Sequence, residues 1–192
     1  MKEKLVYIRA KSDRVPPLSQ RVVRVLWVFL LGALLGLSAK LIGTYPVFGV
    51  VVASIIAMRS RSPKVAALHV FVFLTTMIIT YYIYSMVLLG FSPKDDLIYW
   101  GGIALLSPLA GYLVWYAKGN GWRAAFCAAL PISMLLVKGN NFFYTFSVSS
   151  GLAVFAAVLL FSILPANHFQ RLRMLPMVTL LFFLLEWLGV PF

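Results

Sequence analysis

Long apolar runs alternate with short polar joints along the whole of this chain. A helix needs about 20 apolar residues to cross a hydrocarbon core roughly 30 Å thick. The runs predict spans over about 22–42, 47–58, 65–90, 97–117, 122–137, 142–164 and 174–190. Gly43-Thr44-Tyr45-Pro46 reads as a tight turn and Lys138-Gly139-Asn140-Asn141 as a polar one. The second run is short. A dozen helical residues cover only about 18 Å, so it begins near the interface at Tyr45 or lies deep in the bundle. Pro108 and Pro131 fall inside the fourth and fifth runs, where neighbouring groups must take up the freed carbonyls. The expected fold is therefore all-α: a polytopic transmembrane bundle of about seven spans. Six are possible if the second or fifth run is re-entrant. Residues 1–21 read as a basic cytoplasmic tail, with Pro16-Pro17 favouring an extended lead-in, and residues 22–192 as a single transmembrane domain.

Composition supports the membrane reading. Hydrophobic residues make up 62% of the chain and charged residues 11%, against about a quarter charged in soluble domains. Every second joint is basic: the N-terminal tail, the segment Arg59 to Lys64, the segment Lys118 to Arg123, and the segment His168 to Arg173. Under the positive-inside rule this puts the N-terminus in the cytoplasm and the C-terminus outside. Seven spans then leave all Lys and Arg inside except Lys40, Lys94 and Lys138, whereas six would expose Arg171 and Arg173 outside. Trp27, Trp115 and Trp122 fall at the expected inner interface, and Trp100 and Trp187 at the outer one. The net charge of +12 stands beside apolar runs, where it sets topology and meets anionic lipid, so nucleic acid is not an expected partner. Arg59, Arg61 and Lys64 are the expected contacts to an anionic inner leaflet. The first run continues past the length of a signal peptide's apolar region and reads as an uncleaved signal anchor.

Candidate chemistry is sparse. Lys40, His69 and Glu186 are ionisable residues within the spans, and each is costly in lipid unless paired or hydrated. Lys40 and Glu186 both fall in the outer half of the bilayer. They form a pair or line a pocket; alternatively, Lys40 snorkels to headgroups and Glu186 reaches interfacial water. His69, Thr76, Thr80 and Tyr84 recur on one helical face of the third span, with Phe73 among them. That stripe reads either as the wall of a solute path or as interhelical packing. Gly32-Ala33-Leu34-Leu35-Gly36 is a GxxxG packing face; Ala124 with Ala128, and Ser149, Ala153 and Ala157, give similar seams. Asp95-Asp96 reads as a solvated loop. Cys127 is the only cysteine and reads as a packing residue. His69 and His168 have no metal-ligand spacing. No catalytic or phosphate-binding motif is present, and no metal or cofactor is implied.

The segment Ser60-Arg61-Ser62-Pro63-Lys64-Val65-Ala66-Ala67-Leu68, with Tyr81-Tyr82-Ile83-Tyr84-Ser85, resembles a group of small multi-pass membrane proteins of Gram-positive bacteria to which no activity is assigned. Leu105-Leu106-Ser107-Pro108 and Val114-Trp115-Tyr116-Ala117-Lys118-Gly119 fit the same group. The resemblance covers about residues 30–165 and implies a location in the bacterial cytoplasmic membrane. In size the chain is also similar to the substrate-binding subunits of energy-coupling-factor vitamin transporters, though without their usual six spans or a ligand-loop motif. The functional expectation is a membrane-embedded solute-binding or transport component. The alternatives are an accessory subunit packed against another membrane protein and, more remotely, a membrane enzyme.

Overall fold

The structure, a computed structural model, describes Arg9 and residues 16–42, 45–90 and 94–189, apart from the side chains of 39–42, 45–46, 88–89, 94–96 and 143. All regular structure among these residues is helical: α1 (Leu18–Ile42), α2 (Tyr45–Arg59), α3 (Pro63–Leu89), α4 (Lys94–Trp115), a 3-10 turn (Tyr116–Lys118), α5 (Trp122–Gly139), a single turn α6 (Phe142–Thr145), α7 (Val148–Ile163) and α8 (His168–Trp187). The chain gathers into two compact units, Ser12–Tyr112 and Met1–Lys11 with Leu113–Phe192.

Four stretches are long and apolar enough to cross a membrane: Leu18–Ser38, Pro63–Val87, Leu97–Lys118 and Trp122–Gly139. The α2 and α7 helices are apolar but shorter. The α8 helix has 20 residues but carries Arg171, Arg173 and Glu186. Large apolar side chains stand exposed along these helices. On α1 they include Val22, Leu26, Leu30 and Leu34, as expected of a surface turned to an apolar medium.

Several boundaries differ from the sequence reading. The α1 helix starts at Leu18, inside the expected tail, because Pro17 supplies the carbonyl that receives the Arg21 N–H. Tyr45 and Pro46 open α2 instead of forming a turn; proline lacks only an N–H that the first helical turn leaves unpaired anyway. Gly43 and Thr44 lie outside the described residues. The α3 helix begins where Ser62 Oγ accepts the Val65 N–H and Pro63 takes the first position; it ends at Gly90, whose φ is +61°. The sixth run is broken. Phe146 adopts a left-handed conformation (φ 48°), and Ser147 precedes a fresh helix start at Val148. The α8 helix begins at His168, so the last basic joint is helical.

Within the first unit, α1 and α3 run parallel. A Cβ on Gly32 would stand 2.6 Å from Phe73 O, and one on Gly36 would stand 2.5 Å from Met77 O, so both glycines press on the α3 backbone. The α2 helix runs antiparallel to α3: Gly49 meets Met77, and Ser60 meets His69. The α4 helix is antiparallel too, with Gly111 against Ala66 and Val70, and Ala104 against Ile78 and Tyr82. Ser107 Oγ donates at 2.6 Å to Ala104 O, the carbonyl that Pro108 deprives of its helical partner.

The second unit is built on α5. The α7 helix packs on it through Gly139, where a Cβ would lie 2.6 Å from Val154 Cγ2 and 3.3 Å from Ser150 O. Ala124, Ala128, Ala153 and Ala157 are buried. The α8 helix runs parallel to α5, since Gly121 just before α5 bonds Gln170 in the first turn of α8, and Asn140 just after α5 bonds Glu186 in its last turn.

The glycine contacts give a direct test. Gly36→Ala should lower the stability of the purified protein in detergent by about 1–3 kcal/mol, because Met77 O must move. Gly102→Ala, with open space at its Cβ, should leave the melting temperature unchanged or slightly raised.

Candidate functional site

The polar stripe of α3 is largely taken up by packing. Thr76 is buried and donates at 2.7 Å to Val72 O of its own helix. A Cβ on Gly36 would stand 3.0 Å from Thr80 Cβ, so α1 covers that part of the face. Tyr84 is half-buried. His69 is buried, with Nδ1 3.2 Å from Ser60 Oγ, and that hydroxyl lies 2.8 Å from Ile56 O. The stripe is thus a helix–helix seam closed at its basic end by a serine–histidine contact. Arg59 and Lys64 are exposed beside that contact, and Arg61 is half-buried. Thr75 Oγ1 is buried without a partner.

Lys40 and Glu186 are not seen as a pair. The side chain of Lys40 lies outside the described residues, as do those of Asp95 and Asp96. Glu186 is exposed and accepts from Asn140 Nδ2 at 2.9 Å. Among the described residues no three His, Cys, Asp or Glu side chains gather in a way that would hold a metal ion.

The basic end of the second unit is built by residues that sequence patterning passed over. Gln170, 2% exposed, takes both backbone groups of Gly121: Oε1 receives the N–H at 3.2 Å, and Nε2 donates to the carbonyl at 2.9 Å. A single amide thus pairs with a bend as a neighbouring strand would. Gly121 has φ +91° and ψ 178°, a region that side chains strongly disfavour. Trp115, expected at the inner interface, is packed inside the protein. It is 2% exposed, meets Tyr116 edge-on, and lies under the Arg9 guanidinium, which is 4.4 Å from its ring centroid and donates to its carbonyl. Burial pulls Arg9 below its ordinary pKa without threatening its charge at neutral pH. A cavity of about 500 Å³ lies at the α7–α8 joint between Pro165 and Arg171, but the Arg171 guanidinium there is already turned to Ser162 O at 3.1 Å.

The opposite end of α5 and the start of α7 form a cup of about 420 Å³, lined by Val137, Lys138, Asn141, Thr145, Ser147, Ser149 and Ser150. Six of those seven residues are polar, an unusual density in a chain this apolar. The break in the sixth run makes the cup: left-handed Phe146 turns the chain so that Ser147 faces the start of α7. Gly151, beside Phe142, and Gly139, against Val154, let the surrounding segments close up. Ser147 Oγ and Ser149 Oγ are 3.1 Å apart, and Thr145 Oγ1 donates to Asn141 O at 2.8 Å. The sequence signal for the cup is Thr145-Phe146-Ser147-Val148-Ser149-Ser150, a serine cluster with N-cap character in mid-run.

No protein-family model matches this chain, and no curated protein or solved structure matches it.

Replacing Gln170 with Ala should cost about 1–3 kcal/mol, since both groups of Gly121 lose their partner. Gly121→Ala should cost a comparable amount through backbone strain. Chemical unfolding of the purified protein in micelles measures both, and the double variant should fall short of the sum because the two act on one joint.

Proposed function

We propose that the protein is an integral membrane protein of the cytoplasmic membrane that binds a small polar solute at the non-cytoplasmic end of its C-terminal unit. The observation that carries this reading is the hydroxyl-rich cup between α5 and α7. Four helices long and apolar enough to cross support membrane embedding. Within each unit the helices run in the alternating senses that seven crossings require: α1 and α3 parallel with α2 and α4 opposed, α5 and α8 parallel with α7 opposed. The shorter α2 and α7 cover about 22 and 24 Å, so they reach only part of the way through a 30 Å core, and the cup lies where α7 begins. With the N-terminus inside, the basic Gly121–Gln170 end is cytoplasmic and the cup opens on the other side. A cup of this size falls in the range that takes a metabolite-sized ligand.

One observation favours a second reading, an accessory subunit docked on another membrane protein. Gly101 and Gly102 of α4 have open space where a Cβ would stand, beside exposed Ile98, Leu105 and Leu106. Small residues of that kind admit a close helix partner.

Topology is testable in a Cys127→Ala background. A membrane-impermeant maleimide should modify Thr145→Cys in intact cells and Lys118→Cys only after permeabilisation; the reverse pattern would overturn the orientation. Solute binding is testable by melting the purified protein against sugars, polyols, carboxylates and amino acids. At least one class should raise the melting temperature saturably, and Ser149→Trp, which fills the cup, should abolish that rise. Absence of any saturable shift would sink the reading.

A further inference from the structure

We infer that the cavity at the α7–α8 joint is a headgroup site for an anionic phospholipid: Arg171 takes the phosphodiester, and Phe169 and Leu172 receive the upper acyl chains. This inference rests on membrane embedding and is independent of the cup. The cavity of about 500 Å³ is lined by Pro165, Ala166, Asn167, His168, Phe169 and Arg171, and has room for a glycerophosphate group.

Arg171 is only partly satisfied by the protein. Its Nη2 donates to Ser162 O at 3.1 Å, and its Nη1 stands 3.4 Å from His168 Nδ1. Its Nε is buried and has no partner among the described residues. A guanidinium offers five N–H donors in a rigid fork, and a buried donor on a charged group is costly to leave unpaired. Ser162 O occupies one N–H of Nη2 and leaves that nitrogen a second. A small turn of the guanidinium presents its remaining N–H groups along one edge to an oxyanion, the bidentate geometry in which Arg surpasses Lys. His168 faces an Arg donor through Nδ1, so its ring proton lies on Nε2 and is a further donor for a headgroup oxygen. Asn167, at the start of α8, makes no side-chain bond to the helix it precedes.

The surroundings select the charge and the source of the phosphate. Residues 113–185 contain no Asp or Glu. The Gln170–Gly121 bonds bring the joint 118–123 to the same end, where Lys118, Arg123 and Arg173 are exposed. Their combined field attracts a headgroup of net negative charge and repels the ammonium of a zwitterionic one. Phe169 is 78% exposed and Leu172 64%, three residues apart on α8 with Arg171 between them in sequence. A soluble phosphodiester would leave both side chains in water, whereas a lipid covers them with its own chains. One guanidinium beside a neutral imidazole balances the single charge of a phosphodiester.

Phosphatidylglycerol and phosphatidylcholine with the same acyl chains share the phosphodiester and differ in net charge. The purified full-length protein in neutral detergent should melt at a saturably higher temperature when the micelles are doped with phosphatidylglycerol, and respond little to phosphatidylcholine. Millimolar glycerophosphoglycerol, the same headgroup without chains, should give no shift. Arg171→Gln should weaken the phosphatidylglycerol response about tenfold or more, and Arg171→Lys should restore only part of it. Arg173→Gln removes an equal charge outside the cavity and should weaken it less than about threefold. Each variant is melted without lipid first. If Arg171→Gln is itself unfolded, Arg171→Lys and Ala166→Trp decide; the latter fills the cavity and should abolish the response. Equal shifts with the two lipids, or equal losses in Arg171→Gln and Arg173→Gln, would overturn the headgroup site in favour of a diffuse basic surface. An equal shift with glycerophosphoglycerol would make the occupant a soluble phosphodiester. A response undiminished in Arg171→Gln and Ala166→Trp would place the lipid elsewhere. The protein should also resist alkaline extraction from vesicles of either lipid. Failure there would overturn membrane embedding itself, whereas resistance without a phosphatidylglycerol response would overturn the headgroup site alone.

Discussion

Helices as apolar as these gain little by hiding leucine from a hydrocarbon solvent, so they hold together where backbones can touch. Each unit is organised around such places. Gly32 and Gly36 bring α1 onto the carbonyls of Phe73 and Met77, and Gly111 brings α4 onto Ala66 and Val70. In the second unit Gly139 does the same for α5 and α7. These approaches leave no space for a Cβ. They also fix the axial register of each pair, which in turn sets the level of every polar group.

That register sorts the polar residues into two kinds. Those on a seam, such as Thr76 and Ser60, are consumed by contacts within or between helices. Around the break at Phe146, Thr145, Ser147 and Ser149 bond locally as well, but a chain that stops one helix and starts another leaves backbone N–H groups that neither helix satisfies. The same glycine contact that closes the α5–α7 seam therefore stands directly beside the opening. Packing and the polar cup adjoin because one ends where the other begins.

The sequence makes the helices legible wherever apolar length or a cap decides them. The Ser62-Pro63 start of α3, its stop at Gly90, and the alternation of basic joints are all local signals. The break in the sixth run is less visible, since neither proline nor glycine marks it and Phe146 bears a positive φ that its side chain disfavours. The division into two units is not legible at all, because it depends on which helices meet. Among the candidate site residues, periodicity marks the α3 stripe but does not tell a lumen from a seam; the glycines of α1 that press on it do. Gln170 carries no pattern, since it acts through a bend forty-nine residues away. The burial of Trp115 is not legible either, because the Arg9 guanidinium and the ring of Tyr116 that cover it meet it only in the fold.

Many hydroxyls in this protein bond to a carbonyl one turn back in their own helix: Ser54 to Val50, Thr76 to Val72, Ser85 to Tyr81, Ser133 to Leu130, Thr179 to Leu175. Such a bond needs no second helix to complete it. Each of these hydroxyls is therefore satisfied within its own helix, before any companion helix has been synthesised. Assembly then becomes a lateral search between finished rods, in which the glycine faces choose the mate.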